Sequence, residues 1–173
     1  MNLLSSRELY RSPIFWVTED HAKDPSGFEI HRAIVRHAGS AVMMAVDARR
    51  RILLVRQYRL PARAELWELP AGRLDPGEKP LEAARRELQE ETGSRARRWK
   101  KLIAFYPSPG FVSEKMTIFL ATELTAGEAH PMDDERIQTR WFPAGQVEKM
   151  ILSNKIQDSK TMIGYFVWKN GKR

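Results

Sequence analysis

Three glutamates, Glu87, Glu90 and Glu91, follow the turn from Gly72 to Gly77 at spacings that suit one face of a helix. At about 100° per residue they share an arc roughly a quarter-turn wide. Leu81, Ala84 and Leu88 form the neighbouring apolar stripe, so such a helix can dock while its acids face a cleft. Hard divalent cations such as Mg²⁺ take carboxylate and carbonyl oxygens and keep waters that a substrate phosphate can replace. The glycine-bearing turn brings backbone carbonyls, that of Ala71 especially, near the acids. Arg86 has Glu82 and Glu90 at i,i+4 and can orient and partly neutralise the group. Taken alone, the glutamates also fit a solvated acidic face.

The elements that must position this stretch follow from turn signals and periodicity. Ile14–Asp20 and Phe28–His37 read as strands joined at Asp24-Pro25-Ser26-Gly27, an N-terminal antiparallel β-hairpin. Ser40–Val46 and Ile52–Tyr58 are apolar runs joined by the polar Asp47–Arg51, the pattern of a second hairpin. Leu66–Leu69 is a short strand, and the acidic helix should start near Pro80 and end near Glu91 with Gly93 as its cap. Strands are expected at Leu102–Tyr106, Met116–Leu124 and Ile137–Phe142, and helices at Gln146–Ser153 and Ser159–Trp168. The fold class is α+β, a mixed β-sheet with helices. Residues 1–38 are expected as an N-terminal hairpin region and residues 39–173 as the main domain.

Composition narrows the chemistry. At 42% hydrophobic and 29% charged, the 173 residues read as globular. The absence of cysteine removes thiolate catalysis, disulfides and Cys-ligated metals, and it agrees with a cytoplasmic location. Arg7 and Arg11 break the only apolar stretch at the N-terminus, and no run is long enough to span a bilayer. The net charge of +7 suits an anionic ligand. A nucleic-acid partner is disfavoured, because no aromatic residues alternate with Lys and Arg along one strand.

The full spacing around the glutamates is more specific than the acids themselves. Gly72, five residues, Glu78, seven residues, then Arg86-Glu87-Leu88-Gln89-Glu90-Glu91-Thr92-Gly93 resembles the Nudix box. Ser94 is the single departure, standing where that family usually has an aliphatic residue. Val55-Arg56-Gln57-Tyr58-Arg59, Leu66-Trp67-Glu68-Leu69-Pro70-Ala71-Gly72 and Ser108-Pro109-Gly110 resemble the ADP-ribose pyrophosphatase branch. The resemblance implies a Nudix fold, a mixed sheet sandwiched between helices, and Mg²⁺- or Mn²⁺-assisted attack of water on a diphosphate. It also implies that Glu87, Glu90, Glu91 and the Ala71 carbonyl are metal ligands.

Arg59 would contact the substrate diphosphate, for which a guanidinium fork is well shaped. Arg32, Glu114 and Pro109 are implied as substrate contacts. Phe15 and Trp16 could stack on a base or pack in the core. The general base is implied in the acidic loop before the late strand, with Glu135 the best match and Asp133 and Asp134 as alternatives. ADP-ribose, cleaved to AMP and ribose 5-phosphate, is the implied substrate, with GDP-mannose or UDP-glucose as the nearest variants. A homodimer built through the N-terminal region is implied too, and an RNA-cap hydrolase or a nucleic-acid-binding regulator is the competing class.

Overall fold

The computed structural model describes residues 1–129 and 136–171. The chain divides into two compact units, Met1–Gly39 with Phe105–Lys115, and Ser40–Ala104 with Met116–Arg173.

The first unit is an antiparallel sheet of β1 (Asn2–Arg11), β2 (Trp16–Lys23) and β3 (Glu29–Arg36), in that order. The hairpin expected from the turn signal forms as β2–β3, paired from Trp16↔Arg36 to Lys23↔Glu29. Asp24 closes it: its Oδ1 accepts from the Ser26 and Phe28 backbone N–H groups at 2.8 and 3.0 Å. β1 is a strand that the sequence does not announce, because every one of its residues is exposed and it carries no alternating face. The segment 108–113 is stitched to the end of β3, with Val35 N donating to Phe111 O and Ser113 N to Val35 O at 2.8 and 2.9 Å.

The second unit holds two further sheets, ordered β7-β4-β9-β8 and β10-β5-β6. Their strands are β4 (Ser40–Ala45), β5 (Arg51–Arg59), β6 (Ala64–Glu68), β7 (Ala71–Arg73), β8 (Arg95–Phe105), β9 (Met116–Thr125) and β10 (Gln138–Pro143). Among the described residues, three α-helices pack on them: α1 (Pro80–Thr92), α2 (Ala144–Leu152) and α3 (Ser159–Asn170). The second expected hairpin does not form as one ladder. β4 and β5 enter different sheets and, among the described residues, meet at the antiparallel bridge Val46↔Ile52. Burial gives the reason: Ala41 to Ala45 are all 0% exposed, so β4 is a central strand. It takes β9 as a parallel neighbour and β7 as an antiparallel one.

α1 follows local rules closely. Pro80 stands in its first turn, and the Glu82 carboxylate accepts from Lys79 N at 3.1 Å. Ala83, Ala84 and Leu88 bury against a core of Ala41, Met43, Ala45, Leu53, Phe119 and Ala121. That anchored face fixes the rotation of the helix and therefore where its glutamates stand. Gly93 ends the helix at φ 67°, and a Cβ there would lie 2.5 Å from the Gly127 carbonyl oxygen. No helix among the described residues is long and apolar enough to cross a membrane.

Gly93→Ala combines left-handed strain, about 1–2 kcal/mol, with a clash against backbone that cannot rotate away. The variant is expected to lose at least that much stability in a urea or thermal melt; a wild-type midpoint would refute the close packing of this cap.

Candidate active site

The carboxylates of α1 differ sharply in environment. Glu91 is 4% exposed, the Glu87 side chain 15% and the Glu90 side chain 43%. The set therefore runs from interior to solvent along one helix face. Glu87 lies directly against β7: a Cβ placed on Gly72 would sit 1.8 Å from Glu87 Cδ and 2.0 Å from Oε1. Only a glycine leaves room for that carboxylate where it now lies, beside β7, in which Ala71 precedes Gly72.

One cation organises the group. Arg86 Nη1 donates to Glu87 Oε1 at 2.7 Å and to Glu90 Oε2 at 3.0 Å. Its Nε and Nη2 form a fork on Glu78 Oε1 and Oε2 at 3.0 and 2.9 Å, and Nη2 also reaches the Arg73 carbonyl at 3.1 Å. The Arg86 hydrogen bonds hold the Glu78 carboxyl below the usual carboxylate range. The expected Arg86–Glu90 pair is present. Glu82 turns instead to the helix start, where an exposed N–H needs an acceptor.

The donor set suits a divalent cation. Glu87, Glu90, Glu91 and the Ala71 carbonyl offer oxygen alone, the preference of hard ions. Gly72 keeps the Glu87 carboxylate and the β7 backbone together. Elsewhere, among the described residues, His21, Glu29 and His31 bring ligand atoms within 4.8 Å of one another. There the imidazoles stack at 3.9 Å and Lys23 already lies 2.9 Å from Glu29, so that carboxylate has its cation.

Arg59, at the end of β5, forms a bidentate pair with Glu68: Nε to Oε1 and Nη2 to Oε2, both 2.8 Å. Its side chain remains 41% exposed, while the Glu68 side chain is 2% exposed. Burial pushes the Glu68 carboxyl up, but the Arg59 hydrogen bonds and the Lys160 charge outweigh it and hold it below its ordinary value. The Arg59 guanidinium is stabilised in its charged form by the Glu68 hydrogen bonds, against burial, and by the Glu68, Glu91 and Asp158 charges. Arg59 thus stands in the field of the same acid that α1 buries.

The remaining expected residues divide by unit. Phe15, Arg32, Pro109 and Glu114 belong to the first. Phe15 is half-buried with its ring 6.0 Å from Tyr10, and Arg32 is exposed with Nη1 donating to the His31 carbonyl at 2.8 Å. Pro109 is exposed in the stitched segment, and Glu114 lies 3.6 Å from His37 Nδ1. Asp133, Asp134 and Glu135 lie outside the described residues. Sequence reasoning does not single out the side chains of Glu68, Asp158 and Lys160. A lone acid inside the apolar run Leu66-Trp67-Glu68-Leu69 is the available signal.

Gly72→Ala places a methyl where the Glu87 carboxylate now lies and leaves the core untouched. Divalent-cation affinity by calorimetric titration is expected to fall about 10–100-fold with the thermal melt little changed; retained affinity would remove Glu87 from the ligand set.

The comparisons with known proteins agree with this geometry. Residues 35–163 match the model of the NUDIX domain. The chain is 34% identical over 160 residues to the ADP-ribose pyrophosphatase of Bacillus subtilis (strain 168), covering 91% of this chain and 86% of the relative. It is 35% identical over 165 residues to the ADP-ribose pyrophosphatase of Mycobacterium tuberculosis (strain ATCC 25618 / H37Rv), covering 93% and 79%. A crystal structure described as an ADP compounds hydrolase superposes with a TM-score of 0.81 at 23% identity, covering 98% of this chain and 92% of that one. With the box spacing, the glycine-seated glutamate and these matches in agreement, the chain belongs to the NUDIX domain family.

Proposed function

We propose that this protein is a divalent-metal-dependent pyrophosphohydrolase that cleaves the diphosphate of ADP-ribose to AMP and ribose 5-phosphate. The observation that carries the reading is the oxygen cradle of α1 and β7, in which Glu91 is buried and Gly72 is shaped around Glu87. The two relatives named ADP-ribose pyrophosphatase, each matched over most of the chain, support the choice of substrate.

Each residue has a task in this reaction. Glu87, Glu90, Glu91 and the Ala71 carbonyl hold the cation, for which Mg²⁺ or Mn²⁺ suits an all-oxygen set. The chemistry such an ion supplies is charge neutralisation of the diphosphate and acidification of the attacking water. Arg86 keeps three of the surrounding carboxylates, Glu78, Glu87 and Glu90, from repelling one another out of place. Arg59, whose side chain is partly exposed, grips diphosphate oxygens with its guanidinium. Glu135 accepts the proton of the attacking water, with Asp133 and Asp134 as the alternatives. Arg32 and Glu114 contact the ribose or diphosphate, Phe15 stacks on the base, and Pro109 is a further substrate contact.

The substrate is a small molecule rather than a nucleic acid, and the setting is the cytoplasm. The functional unit is a homodimer formed through the N-terminal sheet, a reading supported by the exposure of Leu3, Leu4, Leu9 and Tyr10 along β1.

A panel of ADP-ribose, GDP-mannose, UDP-glucose, NADH and dinucleoside polyphosphates with Mg²⁺ or Mn²⁺ tests the substrate class. ADP-ribose is expected to show the highest kcat/KM, and inactivity toward every sugar-linked diphosphate would overturn the proposal. Glu91→Gln is expected to lower kcat by about 10³-fold or more with a native circular-dichroism spectrum; a wild-type kcat would exclude Glu91 as a ligand. Glu135→Gln is expected to lower kcat about 10²–10⁴-fold at unchanged metal affinity, and an unaffected rate would move the base to Asp133 or Asp134.

A further inference from the structure

Arg59 is held by an acid that is itself held from elsewhere. Glu68 ends β6 with 2% of its side chain exposed, and its two oxygens face the Nε and Nη2 of Arg59. Lys160, in the first turn of α3, donates to the same Glu68 Oε2 and is 7% exposed. Its ammonium is fixed a second time, 2.8 Å from Asp158 Oδ1. Asp158 uses its other oxygen to cap α3, accepting from Thr161 N at 2.9 Å and Thr161 Oγ1 at 2.5 Å. Thr161 Oγ1 in turn accepts from Leu69 N at 2.8 Å. The first turn of α3 is therefore tied to both residues of the Glu68–Leu69 step.

We propose that Lys160 is a positioning residue, which clamps Glu68 so that Glu68 presents Arg59 to the substrate diphosphate. The inference rests on the reading that Arg59 grips the diphosphate, and it concerns how that grip is prepared. Glu68 occupies the Nε–Nη2 edge of the guanidinium, which leaves the Nη1 side for a phosphate oxygen. A bidentate pair orients an arginine only as well as its carboxylate is oriented. A Glu68 carboxylate facing Arg59 alone could follow the arginine toward a diphosphate. The buried ammonium, pinned by Asp158, gives Glu68 a fixed second counter-charge and stops that drift. Arg59 and Lys160 balance Glu68 and Asp158 in charge, so the cluster can stay ionised while largely dry. A buried ionic cluster of this kind adds little net stability compared with apolar packing, which leaves orientation as its physical return. Lys is the fitting residue here, because a compact ammonium can be shared between two carboxylates without competing for the fork geometry of Arg59.

A double-mutant cycle decides the matter, using the full chain with ADP-ribose and Mg²⁺, circular dichroism as the check of folding, and steady-state kinetics. Lys160→Met is expected to raise KM about tenfold with kcat nearly unchanged, the signature of lost uniform binding. Arg59→Gln should raise KM by more, and the Arg59→Gln/Lys160→Met double variant should be no worse than Arg59→Gln alone. Lys160→Arg, which keeps the charge, should recover part of the loss. Effects on KM that multiply in the double variant, or a wild-type KM in Lys160→Met, would overturn the proposal. A wild-type KM in Arg59→Gln would instead overturn the diphosphate grip itself, and with it this inference. Should Lys160→Met fail the folding check, Lys160→Gln, which retains a donor to Glu68 without the charge, takes its place in the cycle, and the same changes in KM support or overturn the proposal.

Discussion

Three carboxylates on one helix arc repel, and the site exists because Arg86 makes that arrangement tolerable. The guanidinium places its donors on Glu78, Glu87, Glu90 and the Arg73 carbonyl, so one side chain ties α1 to the turn before it and to β7. Arg suits the task better than Lys, since its five donors lie in a plane and can serve several oxygens at once. Glu91, on the buried side, is excluded from that network by the rotation of the helix. That rotation is set by Ala83, Ala84 and Leu88 in the core. The acidic face is thus a product of two forces: apolar packing aims it, and a single cation keeps it from flying apart.

Geometry around the acids depends equally on what is missing. Gly72 has no side chain, and the Glu87 carboxylate fills the space that one would take. Gly93 reaches a positive φ and lets the chain near Gly127 approach the helix end. The first absence makes chemistry possible; the second ends the helix one residue past Thr92, which keeps the acids in its last two turns. A Cβ at Gly72 would push the Glu87 carboxylate aside, and one at Gly93 would meet backbone at a positive φ, so contact explains the first glycine and contact with conformation the second.

How much of this is legible in the sequence follows the distance between partners. Glu87, Glu90, Glu91 and Arg86 sit within two helical turns, so periodicity and i,i+4 pairing suffice to bring them together. The β2–β3 hairpin and the cap at Gly93 are likewise local. β4 reads wrongly as half of a hairpin because its two edges are taken by β7 and β9 and helices α1 and α3 pack on it, all of them remote in sequence. β1 escapes because a strand exposed along its whole length has no alternation to detect. Glu68 and Lys160 are beyond reach for the same reason as β4: 92 residues separate them, and neither neighbourhood marks the other.

The positive charge of the chain looks, in composition, like an invitation to polyanions, and its placement gives a different account. The densest cluster, Arg95 to Lys101, lies on β8, and β8 is an edge of its sheet. Arg95, Arg97, Arg98, Lys100 and Lys101 are exposed there while Ala96 and Trp99 turn toward the core. Long cationic side chains on an edge strand discourage pairing with a second sheet. Arg51 is paired with Asp47 at 2.7 Å, and Arg50 lies 5.3 Å above the Trp168 ring. Those cations have partners or a role in protecting an edge, so a polynucleotide is not needed to explain them. Arg59, the cation proposed to meet a diphosphate, is held by a buried carboxylate, and that carboxylate by Lys160. In a chain rich in arginine, what sets Arg59 apart in the proposed reaction is how firmly its counter-ion is fixed.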